Sequence, residues 1–249
     1  MKPIGIVSAL TAEARTLGPA ARHGAGLSQL GDGALLAVSG IGESAAAAAA
    51  RRLVLAGATA LASFGMAGGL DPTLLCGVVL LPEEVAAAEG GDCAAAGSAT
   101  SGEWRQRLRA ALPASCIVCG GKLLSSARPI GRPDAKAAAW HRSRAAAVDM
   151  ESAAIAQVAG QAGLPFIALR VIVDTASDEL PAAVIAASSG GQLQVARLLA
   201  GLLRAPGEVG MLIRLSARYR VARRVLAAVA RPGSPARRAL VGGAEARMP

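Results

Sequence analysis

The sequence predicts an α/β protein, a three-layer α/β/α sandwich around a central mixed and twisted sheet, followed by a C-terminal amphipathic helix. Short apolar segments alternate with alanine-rich helical segments along most of the chain, a pattern typical of such folds. Residues 165–173 form a near-continuous apolar run, as expected of a parallel strand buried on both faces. With 249 residues and 53% hydrophobic content, the chain is long enough for a large core.

The elements follow from propensity and from turn residues. The alanine run after Ser44 predicts a long helix because alanine has the highest helix propensity. The glycine-rich segments 40–42 and 65–69 mark turns that follow strands. The predicted strands are residues 3–9, 34–39, 60–64, 77–82, 115–119 and 165–173. The predicted core helices are residues 44–56, 103–112, 134–144, 151–162 and 181–204.

Composition argues against several classes of protein. No apolar run reaches the ~18 residues of a membrane-spanning helix, and the N-terminus resembles a first strand more than a signal peptide, so we expect a cytoplasmic protein. Cys116 and Cys119 form a lone Cys-x-x-Cys, and neither Cys76 nor Cys93 supplies the second ligand pair of a structural zinc site. We therefore expect four reduced, mostly buried thiols and no metal.

Positive charge is concentrated at the end of the chain. Residues 200–249 carry ten arginines against two glutamates, which accounts for +8 of the net charge of +9. Such blocks are more often interaction segments than core. The sequence thus divides into a main domain over residues 1–204 and a basic extension over residues 205–249, whose final part, 231–249, we expect to be disordered.

The extension contains an amphipathic helical pattern over residues 209–230. An apolar face opposite an arginine-rich face suits the interface of an anionic membrane, which makes peripheral attachment one interpretation. The other is a surface helix docked on the core. Nucleic acid is not favoured as a partner because no aromatic platform or known motif accompanies the arginines. The residues that share the apolar face are Met211, Leu212, Leu215, Tyr219, Ala222, Val225, Leu226 and Val229.

Two acidic positions point to a binding site. Glu151 is predicted at the start of a helix and Asp174 at the end of a buried strand. Ligands of open α/β sheets collect at the carboxyl ends of the strands, so these two side chains are expected to converge on one pocket.

The sequence resembles the nucleoside phosphorylase and nucleosidase superfamily, in particular the methylthioadenosine/adenosylhomocysteine nucleosidases and, more narrowly, the hopanoid-associated phosphorylases. Each motif is weak alone, but five in order at the family's spacing are specific, and the resemblance covers most of residues 3–200. The motifs are Gly5 to Glu13, Gly40-Ile41-Gly42, Gly65-Met66-Ala67-Gly68-Gly69-Leu70, Val148-Asp149-Met150-Glu151 and Arg170-Val171-Ile172-Val173-Asp174.

This resemblance implies cleavage of the N-glycosidic bond between a purine and ribose. Asp174 matches the acid that protonates or hydrogen-bonds the base at N7, and Glu151 matches the carboxylate that grips the ribose hydroxyls. Met150 would pack under the ribose, and Glu13 matches the glutamate that activates water. The further residues expected to contact substrate are Asp149, Met66, Gly68, Ile130 and Val173.

Departures from the nucleosidase pattern indicate a divergent pocket. Asp149 replaces a glutamate, Val173 and Met66 replace serines, and Pro129 stands where relatives place an aromatic ring. Segment 86–99, which borders the 5′ end of the nucleoside in relatives, consists mostly of Ala, Gly and Ser. Room for a bulky apolar 5′ substituent favours adenosylhopane as substrate. A general methylthioadenosine/adenosylhomocysteine nucleosidase, a futalosine-type hydrolase and an inactive membrane-associated nucleoside-binding protein are the alternatives.

The nucleophile stays open between water and phosphate. Glu13 favours water because a carboxylate repels an anion, and Ser63 and Met66 replace the Arg and Ser of phosphate-using relatives. The family resemblance instead favours phosphorolysis, with Arg15 or Arg128 as a phosphate contact. No cofactor is expected, inorganic phosphate is a possible co-substrate, and a homodimer is expected because relatives are often dimers.

Overall fold

The computed structural model describes residues 3–88, 97–187 and 209–242, and within these ranges twelve strands form one mixed sheet. The strands are β1 (Gly5–Ser8), β2 (Ala20–His23), β3 (Leu27–Leu30), β4 (Leu35–Val38), β5 (Leu61–Gly69), β6 (Val79–Leu80), β7 (Glu84–Ala87), β8 (Ser98–Ala99), β9 (Val118–Cys119), β10 (Lys122–Ser125), β11 (Ala145–Asp149) and β12 (Phe166–Asp174).

Helices flank this sheet on both faces. They are α1 (Thr11–Ala14), which a short 3₁₀ turn over Arg15–Leu17 follows, α2 (Glu43–Leu55), α3 (Gly102–Ala111), α4 (Pro133–Ser143), α5 (Ser152–Gln161), α6 (Ala182–Ala187), α7 (Val209–Val229) and α8 (Pro235–Val241). Helices α2 and α5 pack against each other over one core cluster, and α7 packs against β12 over the other. The predicted three-layer α/β architecture is confirmed.

The long strand β5 organises the sheet. It pairs in parallel with β1 and β12, while its last residues, Gly68 and Gly69, pair antiparallel with β11. The carboxyl ends of β1, β5 and β12 therefore meet at one edge, beside the end of β11. That edge is where the candidate site lies.

The helix predicted over residues 151–162 corresponds to α5, but the strand that comes directly before it was not predicted. Asp149 is the last residue of β11, and helix α5 begins at Ser152 after Glu151 in the N-cap position. Strand β11 escaped prediction because Ala145–Ala147 has helical propensity, yet these residues are buried between β10 and β5. Tertiary pairing here overrides local preference. The sequence also failed to reveal β2, β3, β7, β8 and β10.

Other predicted boundaries differ at particular places. The strand predicted over 115–119 is reduced to β9 at Val118–Cys119. Of the helix predicted over 181–204, residues Ala182–Ala187 are described as α6, and residues 188–204 lie outside the described ranges. Most of the small-residue segment 86–99, namely 89–96, also lies outside them.

The expectation of disorder after residue 230 is wrong for residues 231–242. Ser234 caps α8 by accepting a hydrogen bond from the Arg237 amide, and Pro235 occupies its first turn. The indole Nε1 of Trp104 donates to the Ala239 carbonyl at 2.9 Å, and Arg237 Nε lies 2.6 Å from Asp32 Oδ2. Tertiary contacts thus hold α8 against α3 and the start of the sheet. Residues 243–249 lie outside the described ranges.

Helix α7 is docked on the core by its apolar face. Ala222, Leu226 and Val229 are fully buried in the cluster that also contains Trp104. The face that the sequence assigns to a membrane interface is therefore covered by the protein's own sheet, as in the docked alternative. The opposite face is exposed and carries Arg214, Arg220, Arg223 and Arg224. In the described part of the chain, every helix is too short or too polar to cross a bilayer.

Candidate active site

A cavity of about 270 Å³ opens at the edge where β1, β5, β11 and β12 end. The nine residues that the sequence predicts to be catalytic or to contact substrate all line this one cavity. They are Glu13, Met66, Gly68, Ile130, Asp149, Met150, Glu151, Val173 and Asp174.

Glu13 lies on α1 directly after β1, with its carboxylate inside the protein. Its Oε1 accepts a hydrogen bond from the Met66 amide at 2.9 Å, and its Oε2 accepts from the Leu10 amide at 3.1 Å and from Ser8 Oγ at 3.3 Å. Burial raises the pKa of Glu13, and the nearby Arg170 partly opposes that increase. A buried carboxylate with a raised pKa and fixed orientation is suited to accept a proton from water.

Gly65 makes room for this carboxylate. A Cβ at this position would lie 2.9 Å from both Glu13 oxygens and 3.0 Å from an Arg170 nitrogen. The glycine in the strand thus allows the two charged side chains to approach the backbone of β5.

Arg170 is the buried cation beneath the site. Its Nε donates to Asp149 Oδ2 at 2.8 Å, and its Nη2 donates to Ser63 Oγ at 2.6 Å and Ser152 Oγ at 2.9 Å. Burial alone would lower the pKa of Arg170, but the charges of Asp149, Glu151 and Glu13 outweigh it and raise the pKa. One guanidinium therefore offsets part of the mutual repulsion of three carboxylates.

Asp149 lines the cavity but is held by the protein. Besides Arg170, its carboxylate accepts hydrogen bonds from Ser125 Oγ and from the amide of Ser152, and its side chain is only 1% exposed. These contacts do not support direct substrate binding by the Asp149 carboxylate. Asp149 instead anchors Arg170 and the first turn of α5.

Glu151 joins two motifs that are distant in the sequence. Its Oε1 accepts a hydrogen bond at 2.8 Å from the amide of Gly42, at the start of α2. Burial, and then repulsion by Asp149, raises the pKa of Glu151 to about 7. The side chain is thus fixed at the wall of the cavity, with a proton affinity in the physiological range.

Asp174 ends β12 and is paired with a lysine from α4. Lys136 Nζ donates to Asp174 Oδ2 and also to the carbonyls of Thr175 at 2.7 Å and Asp178 at 2.9 Å. Burial raises the pKa of Asp174 by more than Lys136 lowers it. A Cβ at Gly68 would lie 3.1 Å from Asp174 Oδ2, so this glycine too makes room for an acid.

The rest of the cavity wall is largely apolar. Helix α7 contributes Leu215 and Tyr219, and the apolar residues from the other elements are Ala9, Leu10, Ile41, Met66, Ala67, Pro129, Ile130, Val148, Met150, Val173, Leu180 and Val184. Arg218, between the two α7 residues, forms an ion pair with Asp178 and ties the helix to the loop after Asp174. A polar, acidic floor and an apolar wall fit a ligand with one polar part and one apolar part.

Three features of the site escaped the sequence analysis. Arg170 carried a detectable signal, because a charged residue inside an apolar strand requires a buried partner. Lys136 carried none, since it lies in an ordinary alanine-rich helix. The contribution of α7 was hidden because its apolar face is equally compatible with a membrane.

The described residues contain no group of three or more His, Cys, Asp or Glu placed to hold a metal ion. The three described cysteines, Cys76, Cys116 and Cys119, are free and partly buried. Burial raises the pKa of Cys119 to about 11, which disfavours its thiolate.

The chain matches a known protein family. Residues 22–204 match the phosphorylase superfamily model, and no curated protein sequence matches the chain. The chain therefore belongs to the phosphorylase superfamily and is an enzyme of that superfamily.

Solved structures share its fold. The 5′-methylthioadenosine/S-adenosylhomocysteine nucleosidase of Neisseria meningitidis, in complex with methylthio-immucillin-A, has 24% sequence identity and a TM-score of 0.63, over 82% of this chain and 100% of that one. The same nucleosidase from Campylobacter jejuni has 18% identity and a TM-score of 0.64, over 85% and 99%. Futalosine hydrolase of Helicobacter pylori has 18% identity and a TM-score of 0.63, over 87% and 97%. The fold is thus that of the nucleosidases.

Proposed function

We propose that the protein hydrolyses the N-glycosidic bond of an adenine nucleoside that carries an apolar 5′ substituent. The observation that carries this proposal is the convergence of Glu13, Glu151 and Asp174 on one cavity. These three carboxylates occupy separate parts of the wall and have separate hydrogen-bond partners, so each is available for a different role.

The roles follow from charge development in the reaction. As the bond breaks, the ribose gains positive charge and the purine gains negative charge. Protonated Asp174 gives its proton to purine N7, and ionised Glu151 binds the ribose hydroxyls and stabilises the cationic sugar. Glu13 accepts a proton from the water that attacks the anomeric carbon. Burial raises the pKa of both carboxyl groups, which favours the protonated form of Asp174 and makes the carboxylate of Glu13 a stronger base.

Water is favoured over phosphate by the charges at the cavity. Arg128 is the basic residue among those that line it, while Arg170 lies beneath the site and is engaged by Asp149. Phosphate binding normally uses several cationic or amide donors. The carboxylate of Glu13 would also repel an anion at the position of the nucleophile.

An apolar 5′ substituent is favoured by the wall that α7 contributes. Leu215 and Tyr219 extend the apolar surface beyond the residues that match the family model. Within this class we favour adenosylhopane, a nucleoside linked to a polycyclic lipid, as the resemblance to hopanoid-associated phosphorylases implies. The 5′ substituent of 5′-methylthioadenosine is also apolar, which makes a general nucleosidase the second candidate.

Attachment to an anionic membrane would bring the enzyme to a lipid-linked substrate. Because the apolar face of α7 is buried, attachment depends on the exposed arginines of α7, near which Ile213 is 62% exposed and Val221 43% exposed. We expect binding to vesicles containing anionic lipid that decreases with salt. Charge reversal of Arg220, Arg223 and Arg224 to Glu should abolish it, and unchanged binding would contradict this part of the proposal.

A substrate panel tests the proposed function. Full-length protein is incubated with adenosylhopane, 5′-methylthioadenosine, S-adenosylhomocysteine and futalosine, with and without phosphate, and free base is measured. We expect adenine release without phosphate and the highest kcat/KM for adenosylhopane. An absolute requirement for phosphate contradicts hydrolysis, and faster turnover of methylthioadenosine favours the general nucleosidase. The elution volume of the protein at several concentrations tests the expected homodimer.

A further inference from the structure

Lys136 is a fully buried lysine whose ammonium group lies against the proposed acid. All three of its donors are used, on Asp174 Oδ2 and on the carbonyls of Thr175 and Asp178. Burial of an ammonium group is costly unless acceptors of this kind surround it. Lys136 therefore fixes both the carboxylate and the backbone of the loop that follows it.

This contact distinguishes the two oxygens of Asp174. Oδ2 accepts a hydrogen bond from Lys136, so Oδ1 is the oxygen that Lys136 does not contact, and the Asp174 side chain lines the cavity. A base bound in the cavity would therefore meet Oδ1. Lys136 thus sets the orientation of the Asp174 carboxyl group relative to the cavity.

The remaining charges near Asp174 lie farther from the cavity. Asp178, in the following loop, is paired with Arg218 of α7. The thiol of Cys76 is also close enough to interact electrostatically with Asp174 and Asp178. Lys136 is the cation in direct contact with the Asp174 carboxylate among the described residues.

We propose that Lys136 is a positioning residue for departure of the base: it orients Asp174 and stabilises the carboxylate that remains once Asp174 has given up its proton. This inference rests on the proposed function. The bond between the anomeric carbon and the purine nitrogen breaks with its electron pair going to the purine. The proton moves from Asp174 Oδ1 to N7, and water adds to the anomeric carbon and gives its proton to Glu13.

The physical reason is the change in charge on Asp174. Proton transfer converts a neutral carboxyl group into a carboxylate in a buried site, where an unpaired charge is strongly disfavoured. The ammonium of Lys136 lies in place before the reaction and needs no reorganisation. Without it, the buried acid would be weaker and would hold its proton as the base departs.

The test compares two leaving groups in one variant. Lys136→Met removes the charge and keeps an unbranched side chain, and Lys136→Arg keeps the charge. The matched control is Lys122→Met, because Lys122 also pairs with a carboxylate, Glu84 at 3.0 Å, but away from the cavity. The substrates are 5′-methylthioadenosine, whose adenine needs a proton, and the 4-nitrophenyl riboside with the same 5′ group, whose nitrophenolate leaves without one.

We expect Lys136→Met to lower kcat for adenine release by about 30-fold at pH 7, which is less than the ~10²–10⁴-fold that a general acid contributes, because Asp174 itself remains. Nitrophenolate release should change by less than about threefold, since that step needs no acid. Lys136→Arg should retain more adenine release than Lys136→Met, and Lys122→Met should match the wild type. Equal losses on both substrates, or no loss on adenine, would overturn the proposal.

A measurement independent of turnover uses carbon-13 NMR of the Asp174 carboxyl group, assigned with Asp174→Asn. We expect its titration to move to higher pH in Lys136→Met and to stay in place in Lys122→Met. An unchanged titration would overturn the proposal even if activity falls. If instead the wild-type protein releases no base from any nucleoside while the NMR shift is found, the proposed function fails and the contact between Lys136 and Asp174 stands.

Discussion

The Nε atom of Arg170 lies 2.8 Å from Oδ2 of Asp149, and this ion pair joins the middle of β12 to the end of β11 beneath the cavity. Both side chains are almost completely buried. The pair therefore connects the strand that carries Asp174 with the turn that carries Glu151. Removal of this ion pair should lower both the stability of the fold and the activity, and a second substitution should restore the stability without restoring the activity.

Arg170→Met should destabilise the fold by about 3–5 kcal/mol, because Asp149 would be left as an uncompensated buried charge. Chemical unfolding measures this loss. The double variant Arg170→Met/Asp149→Asn should regain most of the stability. It should not regain activity, because the cation near Glu13 and Glu151 is still missing. Full recovery of activity in the double variant would contradict this role for Arg170.

Gly65→Ala should lower adenine release by at least about tenfold, because its Cβ would press against both oxygens of Glu13 at 2.9 Å. The comparison is made through kcat/KM of purified protein. Gly160→Ala is a suitable control because a Cβ there meets nothing within 4 Å. Normal turnover by Gly65→Ala would show that the position of the Glu13 carboxylate is not critical.

Glu151→Gln should stabilise the protein at pH 8 relative to wild type. The pKa of Glu151 is raised from 4.5 to about 7 in the folded state. The folded protein thus holds this proton more tightly than the unfolded chain, so stability is lost as pH rises from about 4.5 to 7. The loss is on the order of 3 kcal/mol, and the neutral glutamine avoids it.

Urea unfolding of both proteins at pH 4 and pH 8 measures this difference. We expect it to be large at pH 8 and small at pH 4, while the exposed control Glu103→Gln shows no such pH dependence. A difference that is the same at both pH values would show that Glu151 has no raised pKa. Activity should fall in Glu151→Gln at every pH, because the amide cannot offset the charge of the sugar.

Leu215→Ala should alter the preference among 5′-alkylthioadenosines of increasing chain length. Loss of apolar contact with the substituent should reduce kcat/KM for long chains by about 10-fold and leave methylthioadenosine within about threefold, as expected for a few buried methylene groups. Val221→Ala is the control, since Val221 lies on the exposed side of α7. Equal effects on short and long chains would place the substituent elsewhere.

The sequence predicts the layered fold well because alternating apolar strands and alanine-rich helices are local signals. It predicts the strand over Ala145–Asp149 poorly because alanines favour a helix and only pairing with β5 and β10 makes them a strand. The register that brings Gly42 against Glu151 is likewise a tertiary property.

The residues of the site likewise separate into those that sequence motifs predict and those that only the tertiary structure reveals. Glu13, Glu151 and Asp174 were identified through ordered motifs, and the structure places all three at one cavity. Asp149 was expected to bind substrate, but its neighbours in space, Arg170 and Ser125, determine where its carboxylate points. Lys136 comes from a helix without any motif, so only the fold reveals that it meets Asp174.

The cavity combines the acidic residues with two residues from a later part of the chain. The acidic residues lie before residue 175, within or close to the family-matched segment, whereas Leu215 and Tyr219 lie on α7, beyond that segment. Under the proposed function, substitutions on α7 therefore change the part of the cavity wall that contacts the apolar end of the ligand, without moving Glu13, Glu151 or Asp174. A change of substrate specificity on this scaffold thus needs no change in its chemistry. We expect paralogues of different specificity to diverge first in the sequence of α7.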